Sequence, residues 1–198
     1  MLWFGQSPGA HNSMTERNLQ QVDSNLWHYN EILGDEVIDV YVGPSSKRFV
    51  IHKKVLCAKG QPTFDKMFQG EFKEAAEHEL QLPEDDPDAF LLFAQWLYSD
   101  ALPPIDHSLD AISNEALLFN RFKLYCFAEK YLLDSLMNHT IYTIWSVVFT
   151  LPKVPSTEAI QYSFQNTHPR SELREFFKRC EVAGLLDRGT TNKYKHLP

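Results

Sequence analysis

No stretch of this chain is apolar over anything near the ~18 residues that a membrane-spanning helix needs, so no membrane partner is expected. Cysteine is scarce. Cys57, Cys126 and Cys180 are an odd count at wide spacing, which suits reduced intracellular thiols better than a disulfide framework. That places the protein inside the cell, in cytoplasm or nucleus. Positive charge is in deficit: 19 Lys and Arg stand against 26 Asp and Glu, a net charge of -7. Direct binding to nucleic acid is therefore not expected. The opening Met1-Leu2-Trp3-Phe4-Gly5 has no basic region followed by an apolar run, so no secretory signal is expected. Glycine-rich phosphate loops, G-x-S-x-G, C-x-x-C and H-x-x-x-H are all missing. No catalytic group, cofactor or metal is expected.

What is present is a chain of 198 residues, 43% hydrophobic and 13% aromatic, enough for one globular domain with a dense core and a small appendage. Its charge is uneven. Residues 1–150 hold 11 basic against 21 acidic residues, a balance of -10; residues 151–198 hold 8 against 5, a balance of +3. Leu151-Pro152-Lys153-Val154-Pro155 separates the two, because prolines so close cannot share a helix. Residues 1–16, with Gly5, Pro8, Gly9 and Asn12, read as a flexible tail, and Met14 is open as an alternative start. The chain thus divides into a tail (1–16), a main domain (17–150, core 35–150) and a C-terminal helical extension (151–198).

Leu19, Val22, Leu26, Tyr29 and Leu33 recur at helical spacing and predict a helix over 18–33. Residues 37–42 and 49–52 read as two strands joined by the polar loop 43–48. Lys53 to Lys59 predicts a short helix, Pro62 opens a second with Phe64, Met67 and Phe68, and 78–82 alternates as a third strand. Asp86-Pro87-Asp88 is a strong helix start, and Phe90, Phe93, Ala94, Leu97 and Tyr98 share the face that follows. Residues 114–130 are apolar nearly all round. Further helices are expected over 132–149, around Ile160 and Phe164, and around Leu173, Phe176, Phe177 and Cys180. The last two should dock on the helical body, with Arg170, Arg174, Lys178 and Arg179 on the opposite faces. The order predicts an α+β fold, a small sheet with a helical body.

Few residues suggest chemistry. His52 and Cys57 could form a nucleophile pair, the basis of a thiol-dependent enzyme reading; a buried cysteine beside a hydrogen-bonded histidine explains them more simply. The acidic run Glu71 to Asp88 reads as a solvated strand edge and helix cap rather than a metal site. Phe90, Phe93, Trp96 and Tyr98 could suggest a ligand box, but their helical spacing reads as core.

Ordered motifs nevertheless add up. Asp39-Val40, then Phe49-Val50-Ile51-His52-Lys53-Lys54-Val55-Leu56-Cys57-Ala58, then Phe64-Asp65-Lys66-Met67-Phe68, then Tyr98-Ser99-Asp100-Ala101-Leu102 resemble the BTB/POZ domain family. Leu82 to Phe90, and Ile160, Tyr162, Asn166-Thr167 and Ser171-Glu172-Leu173-Arg174, are similar to its fungal branch. One departure is Gly60-Gln61-Pro62-Thr63-Phe64 where the family has Ser-Pro-Tyr-Phe, so the turn between the two short helices should differ. The resemblance implies a BTB/POZ fold whose defining residues here are Phe49, His52, Leu56, Phe64 and Tyr98. It implies a protein-interaction module, a homo- or hetero-oligomerising scaffold or adaptor, dimerising through Leu19, Val22, Leu26 and Tyr29. It also implies a charged pocket near that interface at Asp39 and Lys53, which a locally satisfied ion pair explains equally well. Many relatives bridge a substrate to a cullin-type ubiquitin ligase. They often carry a hydrophobic-x-Glu element near the end of the third helix, and Ser99–Asp110 contains no glutamate. Downstream Kelch repeats or zinc fingers, common in the family, have no room in the 48 residues after Thr150.

Overall fold

The computed structural model describes residues 30–68, 78–105, 110–148 and 155–184. The tail, the stripe Leu19, Val22, Leu26 and Tyr29, and the acidic residues Glu71, Glu74 and Glu77 lie outside them. Residues 30–33 are helical, the one described part of the helix expected over 18–33.

Strands β1 (Val37–Val42) and β2 (Lys47–His52) form the expected antiparallel hairpin, with Val37 opposite His52 and Val42 opposite Lys47. β2 begins two residues before its apolar run, because Lys47 and Arg48 pair with β1 through their backbones while their side chains face out. The turn between the strands closes through the Ser46 amide on the Gly43 carbonyl at 2.9 Å. Gly43 sits at φ +75, and a Cβ there would meet Pro87 at 2.9 Å, so both conformation and space demand glycine. Strand β3 (Glu79–Leu82) adds parallel to the other side of β1, giving the order β2-β1-β3. Alternation buries Ile38, Val40, Val42, Ile51, Leu80 and Leu82 on one face of this sheet.

Seven helices follow from the hairpin onward among the described residues. α1 (Lys53–Lys59) leaves β2 without a break, and α2 (Thr63–Met67) follows. Between them, a Cβ on Gly60 would lie 2.6 Å from both the Leu56 carbonyl and the Phe64 ring. That crowding is the physical reason for glycine at this turn. α3 (Pro87–Ser99) starts as its sequence directs, with Asp86 accepting from the Asp88 and Ala89 amides at 2.9 and 3.0 Å. α4 (Ala111–Lys130) starts three residues earlier than its apolar pattern, since Asp110 caps it through the Ile112 and Ser113 amides. α5 (Asp134–Val148) starts two residues later than expected; Leu132 at φ +57 breaks the chain direction before it. α6 (Thr157–Gln165) and α7 (Glu172–Val182) are capped by Ser156 and Ser171.

Two apolar clusters share α4. Leu124, Phe127, Ala128 and Tyr131 pack with the sheet, α1, α2 and α3. Leu118, Phe122, Tyr125 and Cys126 pack with α5, α6 and α7. A helix buried on two sides must read as apolar all round, which accounts for its pattern. Phe122 lies 5.2 Å from Phe177 and 6.1 Å from Phe176 between ring centroids, and Trp145 of α5 stands 4.8 Å from Phe176. The C-terminal helices are thus docked on the helical body.

Two side-chain placements differ from expectation. Tyr98 leaves the buried stripe of α3 and is 45% exposed, because the last turn of the helix overruns the core toward the hairpin. Arg174 does not join a basic surface strip. It is buried, donating Nη2–H to the carbonyls of Phe164 and Thr167 at 2.5 and 2.6 Å, so it closes the end of α6.

Candidate interaction surface

His52 ends β2 and precedes α1, so its own amide has no ladder partner. Tyr98 supplies one: the His52 amide donates to the Tyr98 hydroxyl at 3.0 Å. The hydroxyl in turn faces His52 Nδ1 at 2.9 Å. One phenol group thus holds both the backbone and the ring of His52. Motif residues 46 positions apart thereby lock the strand-to-helix corner. Phe49 packs on Phe90 at 4.8 Å, Leu56 and Phe64 are fully buried, and Phe64 stacks with Tyr131 at 5.0 Å. These residues build the fold.

Asp39 and Lys53 do not pair with each other. Asp39 binds Arg48 across the hairpin at 2.7 Å, on the outer face of the sheet. The hydrogen bond and charge of Asp39 raise the Arg48 pKa above its ordinary value. Lys53 reaches Glu36 at 3.0 Å, and the same Glu36 oxygen lies 2.9 Å from His78 Nδ1. Glu36 is therefore the hub of a second cluster at the end of the sheet. Neither Glu36, Arg48 nor His78 stands out in the sequence. Arg48 could have been found from strand register alone, since it lies diagonal to Asp39 on the same face.

The acidic run is solvated at Glu84 and caps α3 at Asp86 as expected, whereas Asp85 between them is buried. Asp85 is 8% exposed; it accepts from the Tyr131 hydroxyl at 2.7 Å and from Lys130 at 3.0 Å. Asp86 takes Lys123 at 2.7 Å besides capping α3. Burial alone would raise the Asp86 pKa, but Lys123 and the two cap amides outweigh it and hold the carboxyl below the usual carboxylate range. Lys123 and Lys130, one side of α4 two turns apart, were the available signal.

Glu129, also on α4, holds the α6–α7 turn. It accepts from the His168 amide at 2.6 Å and from the Ser171 hydroxyl. A cavity of about 420 Å³ opens beside this clamp, between Glu129, Asn138, His168 and Glu172.

The Cys57 thiol is shifted away from the thiolate form. Burial first, and Asp65 next, push the Cys57 pKa above that of a free cysteine, and the His52 Nδ1 is engaged by Tyr98. Burial likewise raises Cys180 to about 11 and Cys126 further.

Apolar groups are exposed on the outer face of the sheet. Val50 of β2 and Val37 of β1 are about half exposed, flanking the Asp39–Arg48 pair. Among the described residues β2 is an edge strand, open to a further strand or chain.

A family model for the BTB/POZ domain matches residues 29–138. Over 100 residues, half of this chain, it is 35% identical to BTB/POZ domain-containing protein 6 of Xenopus tropicalis. Over 95 residues, 47% of this chain, it is 35% identical to BTB/POZ domain-containing protein 6-B of Danio rerio. The matched segments cover 17% and 18% of those proteins.

Proposed function

The chain belongs to the BTB/POZ domain family, and from that membership we propose that it works as an oligomerising scaffold or adaptor built on this protein-interaction domain. Residues 17–150 form the interacting domain in this reading, and 151–198 the helical extension. The observation that carries it is the outer face of the sheet, where the edge strand β2 presents Val50 beside Val37 and the Asp39–Arg48 pair. The apolar stripe Leu19, Val22, Leu26 and Tyr29 precedes that sheet in the chain and needs cover. A second copy of the domain offers it, over an interface of roughly 1,600 Å² in total. Asp39 and Lys53 then stand near the interface with Arg48 and Glu36 as their partners.

The adaptor reading toward a cullin-type ligase is weaker, because Ser99–Asp110 lacks the glutamate of the hydrophobic-x-Glu element. We place the work of the protein inside the cell, in cytoplasm or nucleus, a reading supported by three free thiols. The fungal-type reading rests on Leu82 to Phe90 and, beyond the matched segment, on Ile160, Tyr162, Asn166-Thr167 and Ser171-Glu172-Leu173-Arg174.

Sedimentation equilibrium at tens of micromolar tests self-association. A dimer is expected, weakened by Val50→Lys; a monomer with residues 17–34 present overturns the reading.

A further inference from the structure

The cleft between α3 and α4 holds a buried cation that no carboxylate among the described residues pairs. Arg121 is 3% exposed, and its Nη2 donates to the Pro103 carbonyl. Among the described residues its Nε–H and Nη1–H donors have no acceptor. No carboxylate pairs with it among the described residues. Asp88, the acidic residue in the cleft lining, stands at its α3 end and makes no ion pair with it. Burial pushes the Arg121 pKa down to about 10. An unpaired buried guanidinium is among the costliest arrangements a core can hold.

The surroundings say what would relieve it. Arg121 lines a cleft of about 320 Å³ with Leu91, Leu92, Pro103, Ile105 and Leu117. Leu91 is 41% exposed and Leu117 nearly so, an unusual position for two leucines on facing helices. Aliphatic walls around one cationic group match the general form of a binding site, where apolar surface gives area and one polar group gives orientation. A planar fork of donors favours a carboxylate. Exposed leucines and a proline at the rim offer flanking contacts that a small organic acid would leave unused, and a peptide would fill.

We propose that this cleft is a docking site for an extended segment of a partner protein in which an acidic side chain adjoins an aliphatic one. The carboxylate pairs with the Arg121 guanidinium through Nη1–H, Nη2 staying on the Pro103 carbonyl, and the aliphatic neighbour lies between Leu91 and Leu117. The site is independent of self-association, since it needs no residue of the sheet.

The test is an NMR titration of the full chain, following the Arg121 Nε–H signal and the Leu91 and Leu117 methyls. The probes are the blocked pentapeptide Ac-Ser-Leu-Glu-Leu-Ser-amide, its glutamine counterpart, and millimolar acetate. The glutamate peptide should shift all three signals and bind at least about tenfold more tightly than the glutamine peptide. Leu91→Lys, a change at an exposed position that spares the core, should abolish binding. Arg121→Met should erase the difference between the two peptides. If that variant does not fold, the glutamine peptide and Leu91→Lys still decide. Equal binding of the two peptides, silence of Arg121 throughout, or an acetate response as strong as that of the peptide overturns the proposal; the last would mean a bare anion site.

Discussion

At the scale of single residues, the corner at His52 shows how much one hydroxyl can fix. The Tyr98 hydroxyl serves both the His52 amide and its ring, so Tyr98→Phe leaves a backbone donor and a ring nitrogen without their partner. The expected loss is about 0.5–1.5 kcal/mol in urea unfolding, with the transition still cooperative. A change below about 0.5 kcal/mol would mean that water replaces the hydroxyl without penalty. Asp86 gives a second residue-scale expectation. Its folded pKa is depressed, so its contribution is fully present above the unfolded carboxylate value, near ~4, and is lost as pH falls through the lower folded value. Lys123→Met removes one source of that depression. The variant should lose stability at neutral pH and less of it on acidification, so the wild-type and variant curves of unfolding free energy converge toward pH 3. Parallel curves from pH 7 to pH 3 would show that the cap amides alone hold Asp86 ionised.

At the scale of elements, apolar periodicity and capping chemistry made most of the fold readable. The hairpin, α1, β3 and the start of α3 all carry their signals in adjacent residues: alternation, or the Asp86-Pro87 pair. Boundaries slipped where a side chain faced water or a backbone angle turned. Lys47 and Arg48 belong to β2 through pairing that hydropathy does not register, and Leu132 ends the run into α5 through a positive φ. The site was harder to read than the fold because its partners are brought together by register and packing. Asp39 and Lys53 were legible as charged residues, whereas Arg48 and Glu36, which hold them, are ordinary surface residues in the sequence. Arg174 misled for the opposite reason: helical spacing put it among basic neighbours, but α6 ends close enough for its guanidinium to collect the Phe164 and Thr167 carbonyls.

At the scale of the whole molecule, the question is whether the C-terminal helices are an appendage or part of one cooperative unit. α4 belongs to both apolar clusters, so a change in one reaches the other through a single rigid element. Glu129 adds a polar tie from α4 to the α6–α7 turn. Phe177 is fully buried against Phe122 and Phe176, and an aspartate in its place would both empty that volume and bury a charge. Loss of the ring alone costs on the order of 3–5 kcal/mol, and the charge adds to it. If the two clusters unfold together, Phe177→Asp lowers the melting temperature of the entire protein, and far-UV and near-UV circular dichroism shift as one transition. Two separated transitions, with the tryptophan signal of Trp96 unchanged, would show that α6 and α7 detach while the sheet and α3 stay folded. An unchanged melting temperature combined with loss of a binding partner would make the Phe176 and Phe177 stripe a recognition surface instead. Cooperative loss is the expected result, because leaving α6 and α7 undocked would expose Phe122, Tyr125 and Cys126 of α4, side chains that the central helix cannot turn elsewhere.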